Sequence, residues 1–203
     1  MRGLYLVTPN WDDTGKLLDV TEQALRAGVA LLQYRHKDAD PALRLAQASA
    51  LLALCRRYAC KLVINDFVEL CQEIGADGVH VGGTDASVAQ VRAALGPDLI
   101  VGASCYGDLA LARRAQQEGA SYVAFGGFYP SKVKKYPVTT APSIVDDAKR
   151  EIALPCVVIG GMTPENAAPL AARGSDMVAA ISSVYLADDV AGAVRRFNTL
   201  FPQ

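Results

Sequence analysis

Residues 61–66 read Lys-Leu-Val-Ile-Asn-Asp, and residues 155–161 read Pro-Cys-Val-Val-Ile-Gly-Gly. Both are short, nearly unbroken apolar runs that end on polar or glycine residues. A strand covered on both faces has this character, because neither face meets water, and such strands belong to parallel sheets shielded by helices. Working outward, the same kind of run recurs at Gly3–Thr8, Ala30–His36, Gly78–Val81, Leu99–Ser104, Tyr122–Phe128 and Met177–Ser182, which with Lys61–Asn65 and Pro155–Gly160 makes eight. Each is followed by helical spacing, as at Pro41–Ala59 and Thr163–Arg173, and these helices supply the crossovers that parallel strands need.

A weak internal echo supports the count. Arg-Ala-Gly-Val-Ala, Glu-Ile-Gly-Ala-Asp-Gly-Val, Gln-Glu-Gly-Ala-Ser-Tyr-Val and Ala-Arg-Gly-Ser-Asp-Met-Val each end a helix at a glycine and enter a strand at once. These stops, Gly28, Gly75, Gly119 and Gly174, are 47, 44 and 55 residues apart, about two strand-helix units each with a longer insert late. The pattern predicts an α/β fold, a single (β/α)8 TIM barrel near the lower size limit for that fold, with residues 1–203 forming one domain. An open doubly wound sheet is the alternative, but it gives no reason for the count to stop at eight, and no G-x-G-x-x-G is present.

Composition agrees. With 203 residues, 51% hydrophobic and 20% charged, the chain can bury a full core and is not disordered. Twenty basic side chains stand against 21 acidic ones, a net charge of -1, so there is no cationic surplus for nucleic acid or an anionic membrane surface. Arg56-Arg57 and Arg113-Arg114 read as solvated helix faces. The five cysteines are odd in number and never spaced C-x-x-C, which fits neither a disulfide framework nor a zinc ribbon and points to a reducing cytoplasm. Two histidines, His36 and His80, are too few for an imidazole zinc site, whereas carboxylates can serve a hard cation such as magnesium. No run approaches a signal peptide or a membrane span. Self-association as a homo-oligomer is left open.

In such a barrel the chemistry sits at the carboxyl ends of the strands. The second strand ends Leu-Leu-Gln-Tyr-Arg-His-Lys, so Gln33, Arg35 and Lys37 share one face at the barrel mouth and are expected to converge on an anion rather than to form a wet edge. Asn65 and Asp66 end the third strand, and Asp85 follows the fourth. Either aspartate alone reads as a helix cap; together, beside the cationic strand, they suit a magnesium ion that also binds substrate phosphate. Ser104 ends the fifth strand without a G-x-S-x-G elbow or a partner histidine motif, which argues against a serine hydrolase. After the sixth strand, Gly126-Gly127-Phe128-Tyr129-Pro130-Ser131-Lys132-Val133-Lys134-Lys135 opens a lysine-rich loop that reads equally as a phosphate-binding lid or an ordinary exposed loop. The last strands end Ile159-Gly160-Gly161 and Ala180-Ile181-Ser182, where backbone amides can meet a phosphate. Two separate anion sites point to two phosphorylated substrates.

In this order, Gly-Leu-Tyr-Leu-Val-Thr, Leu-Gln-Tyr-Arg-His-Lys, Ile-Asn-Asp, Gly-Val-His-Val-Gly-Gly-Thr-Asp, Gly-Ala-Ser, Phe-Gly-Gly-Phe-Tyr-Pro-Ser-Lys-Val-Lys, Val-Ile-Gly-Gly-Met and Ala-Ile-Ser cover essentially the whole chain, and the chain resembles the thiamine-phosphate synthase family. The resemblance implies that a pyrimidine diphosphate and a thiazole phosphate, carboxylated or not, are joined into thiamine phosphate with release of pyrophosphate and the help of magnesium. It implies that Gln33, Arg35, Lys37 and Asn65 hold the pyrimidine diphosphate, that Ser104 contacts the pyrimidine, and that Lys134 reaches the departing pyrophosphate. Asp66 and Asp85 would bind magnesium. Ser131, Gly161, Ile181 and Ser182 would hold the thiazole phosphate, with Val133 in the same subsite.

Three positions depart from the family pattern. Val133 stands where a hydroxyl residue is common, Gly83 where a glutamine is, and Tyr106 where a histidine is. Two competing readings follow: a thiazole tautomerase-like paralogue, which Tyr106 and the two aspartates oppose, and a catalytically silent phosphate-binding paralogue, which Val133 favours.

Overall fold

The computed structural model describes residues 1–82, 87–130 and 140–202. Its strands are β1 (Gly3–Val7), β2 (Leu31–Tyr34), β3 (Leu62–Asn65), β4 (Gly78–Val81), β5 (Ile100–Tyr106), β6 (Tyr122–Gly126), β7 (Cys156–Ile159) and β8 (Met177–Ala180). They close in chain order into a parallel barrel, β8 pairing back onto β1 through Gly3 opposite Met177 and Leu6 opposite Ala180. All eight expected strands are present, and the expected (β/α)8 architecture is the observed one.

Helices separate the strands: α1 (Thr14–Arg26), α2 (Pro41–Arg57), α3 (Val68–Ile74), α4 (Val88–Leu95), α5 (Leu109–Gln117), α6 (Ile144–Glu151), α7 (Pro164–Ala172), α8 (Ser182–Tyr185) and α9 (Val190–Asn198). The four predicted helix-stop glycines all have positive φ. No described helix is long and apolar enough to cross a membrane.

Alternation along the strands divides the core in two. Outward residues such as Leu4, Leu6, Leu32, Ile64, Val79, Phe125 and Val158 pack beneath the helices, while Tyr5, Leu31, Val63, Tyr122, Val157, Met177 and Ala179 fill the barrel. Most strand boundaries differ from the sequence expectation by one or two residues, and two of the differences bear on the site. β2 ends at Tyr34, because the amide of Arg35 is bound by the Thr8 hydroxyl at 2.8 Å instead of by a neighbouring strand. β5 runs on to Tyr106, with its register against β6 shifting between Ser104 and Tyr106.

Candidate active site

Of the three residues expected on one face of the second strand, only Gln33 lies within β2, and Arg35 and Lys37 follow its end. Gln33 is buried inside the barrel with its amide on the Tyr5 hydroxyl, whereas Tyr34 points outward to Gln47 of α2. Arg35 stands half-buried at the mouth. Its backbone is clamped by Thr8, which accepts from the Arg35 amide at 2.8 Å and donates to the Arg35 carbonyl at 3.2 Å, and its guanidinium reaches Asn10 at 3.4 Å. The Arg35 Nε is buried and has no hydrogen-bond partner among the described residues. A buried guanidinium donor left unpaired is costly, and an anionic oxygen is the acceptor that would satisfy it.

Beside it, Lys37 Nζ lies 2.9 Å from Asp66 Oδ2, and Asn65 Nδ2 donates to the same oxygen at 2.6 Å. Asp66 has φ 64, a left-handed conformation uncommon for a side chain outside glycine. This geometry removes the capping role considered for Asp66, since α3 is capped at Phe67 without any side-chain bond. The N-cap of α4 is likewise Ser87, in a reciprocal capping box with Gln90. Asp85 itself lies outside the described residues, as do Gly83, Ser131, Val133 and Lys134.

Ser104 of β5 is half-buried and hydrogen-bonded to His80 Nε2 at 2.9 Å, a contact that the expected pyrimidine role did not foresee. Behind His80, Tyr122 lies 2.8 Å from Nδ1 and Tyr5 lies 2.6 Å from Tyr122. Tyr122 is seated on Gly102, where a β-carbon would come within 2.1 Å of the ring. Burial drives both phenol pKa values upward, so Tyr5 and Tyr122 remain neutral O–H groups.

Opposite β2 and β3, Gly161 and the Ile181–Ser182 pair follow neighbouring strands, with Ile159 of β7 opposite Ala179 of β8. A β-carbon at Gly161 would sit 2.2 Å from the Pro130 carbonyl oxygen, so the loops after β6 and β7 meet backbone to backbone. Asn166 fastens the second loop by donating to the Gly161 carbonyl at 2.9 Å. Ser183 adds a buried hydroxyl beside Ser182 with no partner among the described residues.

The described residues therefore bring Gln33, Arg35, Lys37, Asn65 and Asp66 together on adjoining strand ends, with Ser104 tied to Gln33 through the barrel interior. Thr8, Asn10, Tyr5, Tyr122 and His80 were not anticipated. Among the described residues no three His, Cys, Asp or Glu side chains gather as a metal cage, but magnesium needs only one or two carboxylates alongside phosphate oxygens. Asp66, which caps no helix and is held by Lys37 and Asn65 beside Arg35, fits that requirement.

A family model described as thiamine monophosphate synthase matches residues 4–184. The chain is 67% identical over 201 residues to thiamine-phosphate synthase of Janthinobacterium sp. (strain Marseille), covering 99% of this chain and 97% of that one. It is 50% identical over 199 residues to the thiamine-phosphate synthase of Thiobacillus denitrificans, covering 98% and 94%. The solved structure of thiamine phosphate pyrophosphorylase from Pyrococcus furiosus superposes with a TM-score of 0.85 at 27% identity, covering 98% of this chain and 94% of that one.

Proposed function

The chain belongs to the thiamine monophosphate synthase family, and from that premise we propose that it is a thiamine-phosphate synthase, a transferase acting on two small phosphorylated substrates. It joins 4-amino-2-methyl-5-hydroxymethylpyrimidine diphosphate to 4-methyl-5-(2-phosphoethyl)thiazole, carboxylated or not. The bond from the pyrimidine methylene carbon to the diphosphate oxygen breaks, the thiazole nitrogen bonds to that carbon, and pyrophosphate leaves. The observation that carries this reading is the buried Arg35 Nε, which has no hydrogen-bond partner among the described residues, beside the Lys37–Asp66–Asn65 cluster at the same barrel mouth.

On this reading Arg35, Lys37 and Asn65 hold the diphosphate, with Lys134 on the departing end. Fixed cations aimed at the leaving group favour the transition state, where its negative charge grows, over the ground state. Thr8 and Asn10 keep Arg35 aimed there. Gln33 and Ser104 hold the pyrimidine, and Gly161, Ile181, Ser182, Ser131 and Val133 surround the thiazole phosphate, so the two reacting atoms meet without a loss of freedom at the moment of reaction. Asp66 and Asp85 would hold a magnesium ion, which when bound supplies charge neutralisation for the diphosphate oxygens. No side-chain nucleophile is required. A cytoplasmic setting is part of this reading, in keeping with five buried, unbridged cysteines.

The test is a coupled-product assay: the purified protein forms thiamine phosphate from the two substrates when magnesium is present and not when it is chelated. Binding of both substrates without product under these conditions would replace the synthase with a silent paralogue. Arg35→Ala raises the KM for the pyrimidine diphosphate with little change in that for the thiazole phosphate; equal losses would contradict two separate anion seats.

A further inference from the structure

A continuous chain of side-chain hydrogen bonds crosses the barrel interior and joins two residues that do not touch. Gln33 Nε2 donates to the Tyr5 hydroxyl at 2.5 Å, Tyr5 and Tyr122 share a 2.6 Å bond, Tyr122 is 2.8 Å from His80 Nδ1, and His80 Nε2 is 2.9 Å from Ser104 Oγ. The five residues come from β2, β1, β6, β4 and β5, and all but Ser104 are buried. Each of the four links holds one proton, and that constraint makes the chain directional.

The Tyr5 oxygen accepts from Gln33, so its own proton goes to Tyr122. Tyr122 then gives its proton to His80 Nδ1. Nδ1 is therefore the bare nitrogen, and Nε2 carries the hydrogen that it donates to Ser104. Ser104, already accepting inward, has its proton left for the barrel mouth. Gln33, already donating inward, turns its carbonyl oxygen the same way. Reversing the order exchanges every role: the amide of Gln33 would face the mouth as a donor and Ser104 as an acceptor. With a single proton on the His80 ring, mixed arrangements force two protons or two lone pairs against each other in a dry interior, which leaves a buried polar group unpaired.

We infer that Tyr5, Tyr122 and His80 are positioning residues that lock the hydrogen-bond polarity of Gln33 and Ser104, so that the site offers an acceptor at Gln33 and a donor at Ser104 to an aminopyrimidine. The inference rests on the reading that those two residues hold the pyrimidine. An aminopyrimidine carries an N–H donor beside ring-nitrogen acceptors and satisfies both ends of the chain at once. Its 4-oxo isostere, with a ring N–H and a carbonyl, presents the opposite pattern. A site built on hydrogen-bond polarity discriminates between such isosteres strongly, because the wrong one leaves buried groups unpaired. The packing supports a dedicated role: the Tyr122 ring occupies the space above Gly102, stacks on His80 at 5.7 Å between centroids and meets Tyr5 edge-on at 5.7 Å.

The experiment has a part that needs no turnover. With only two histidines in the chain, the imidazole nitrogens of 15N-labelled protein give two sets of signals, assigned by His36→Asn. When its ring carries a single proton, His80 shows the Nε2–H tautomer; an Nδ1–H tautomer overturns the proposed order whether or not the protein is a synthase. The second part is kinetic. Tyr122→Phe keeps the ring on Gly102 and deletes only the hydroxyl, and Tyr5→Phe breaks the next link should the first variant fold poorly. Each lowers kcat/KM for the pyrimidine diphosphate about tenfold or more, the effect of unpairing one buried group, leaves the KM for the thiazole phosphate unchanged, and narrows the preference for the amino substrate over its 4-oxo analogue. Unchanged kcat/KM and an unchanged amino-to-oxo ratio overturn the inference. A correct tautomer in a protein that makes no thiamine phosphate would leave the relay standing and remove the synthase reading instead.

Discussion

Gly102→Ala is the sharpest test of how the barrel interior is built. A β-carbon at this position would lie 2.1 Å from Cζ and 2.2 Å from the hydroxyl of Tyr122, far inside contact distance, and Tyr122 is fully buried with no space into which to swing. The ring must move, and moving it breaks the bonds to Tyr5 and His80. Overpacking of a dense core costs about 1–3 kcal/mol, and each buried bond broken adds about 1 kcal/mol. The expected loss is about 3–5 kcal/mol, or about 6–20 °C in Tm for a chain of this size. Urea denaturation followed by circular dichroism measures it. Gly75→Ala is the control: Gly75 also has a positive φ, 68°, but nothing lies within 4 Å of its added carbon, so only the left-handed backbone penalty of about 1–2 kcal/mol applies. Combining Gly102→Ala with Tyr122→Val removes the colliding ring, so the pair loses less than its two members added together. A Gly102→Ala protein as stable as the Gly75→Ala control, or strictly additive losses in the double variant, would refute the steric argument.

Asp66→Asn keeps a residue that tolerates φ 64 and caps no helix, so stability changes by under about 1 kcal/mol while turnover falls about 100-fold or more, as for loss of a charge that serves the transition state; calorimetry and the product assay read the two effects separately. Thr8→Val removes both bonds that clamp the Arg35 backbone and raises the KM for the pyrimidine diphosphate about five- to tenfold, an effect absent if Arg35 needs no such support. Asp77→Asn tests a stability cluster away from the mouth. Burial alone would raise the Asp77 pKa, but the bonds from Arg56, the Leu62 amide and Lys61 outweigh it and hold the carboxyl below its usual range. A depressed folded pKa adds stability that is complete above the unfolded carboxylate pKa of about 3.9 and is lost as pH falls through the folded value. The gap in urea midpoint between the parent and the variant is therefore constant at neutral pH and closes in acid; a gap independent of pH down to acid unfolding would contradict the assignment.

How far the molecule could be read beforehand follows from which forces leave a trace in a linear pattern. Parallel strands sealed on both faces must be apolar throughout, so Leu62–Asn65 and Cys156–Ile159 announced themselves and the barrel followed from counting their kin. Strand alternation puts Arg35 and Lys37 at the mouth only when extended past Tyr34, where the strand in fact ends, and it is the Thr8 clamp on the Arg35 backbone that holds Arg35 there. The four-residue α8 was not legible, since one turn has no periodicity to detect. Nor was it legible that Asp66 caps no helix: an aspartate before a helix reads as a cap by its letter alone, and only the structure puts Phe67 at the cap position and Asp66 against Lys37. The interior relay was hidden for the opposite reason. Tyr5 and Tyr122 sit in apolar runs and count as core by composition, and they are core. The available signal was that buried hydroxyls and imidazoles need partners. Tyr5, Gln33, His80 and Tyr122 each fall on the inward phase of its strand, in a chain with only two histidines. Inward polar groups in a small closed barrel have nowhere to bond except to one another or to the mouth, and that requirement turns four apparently separate core residues into one line ending at Ser104.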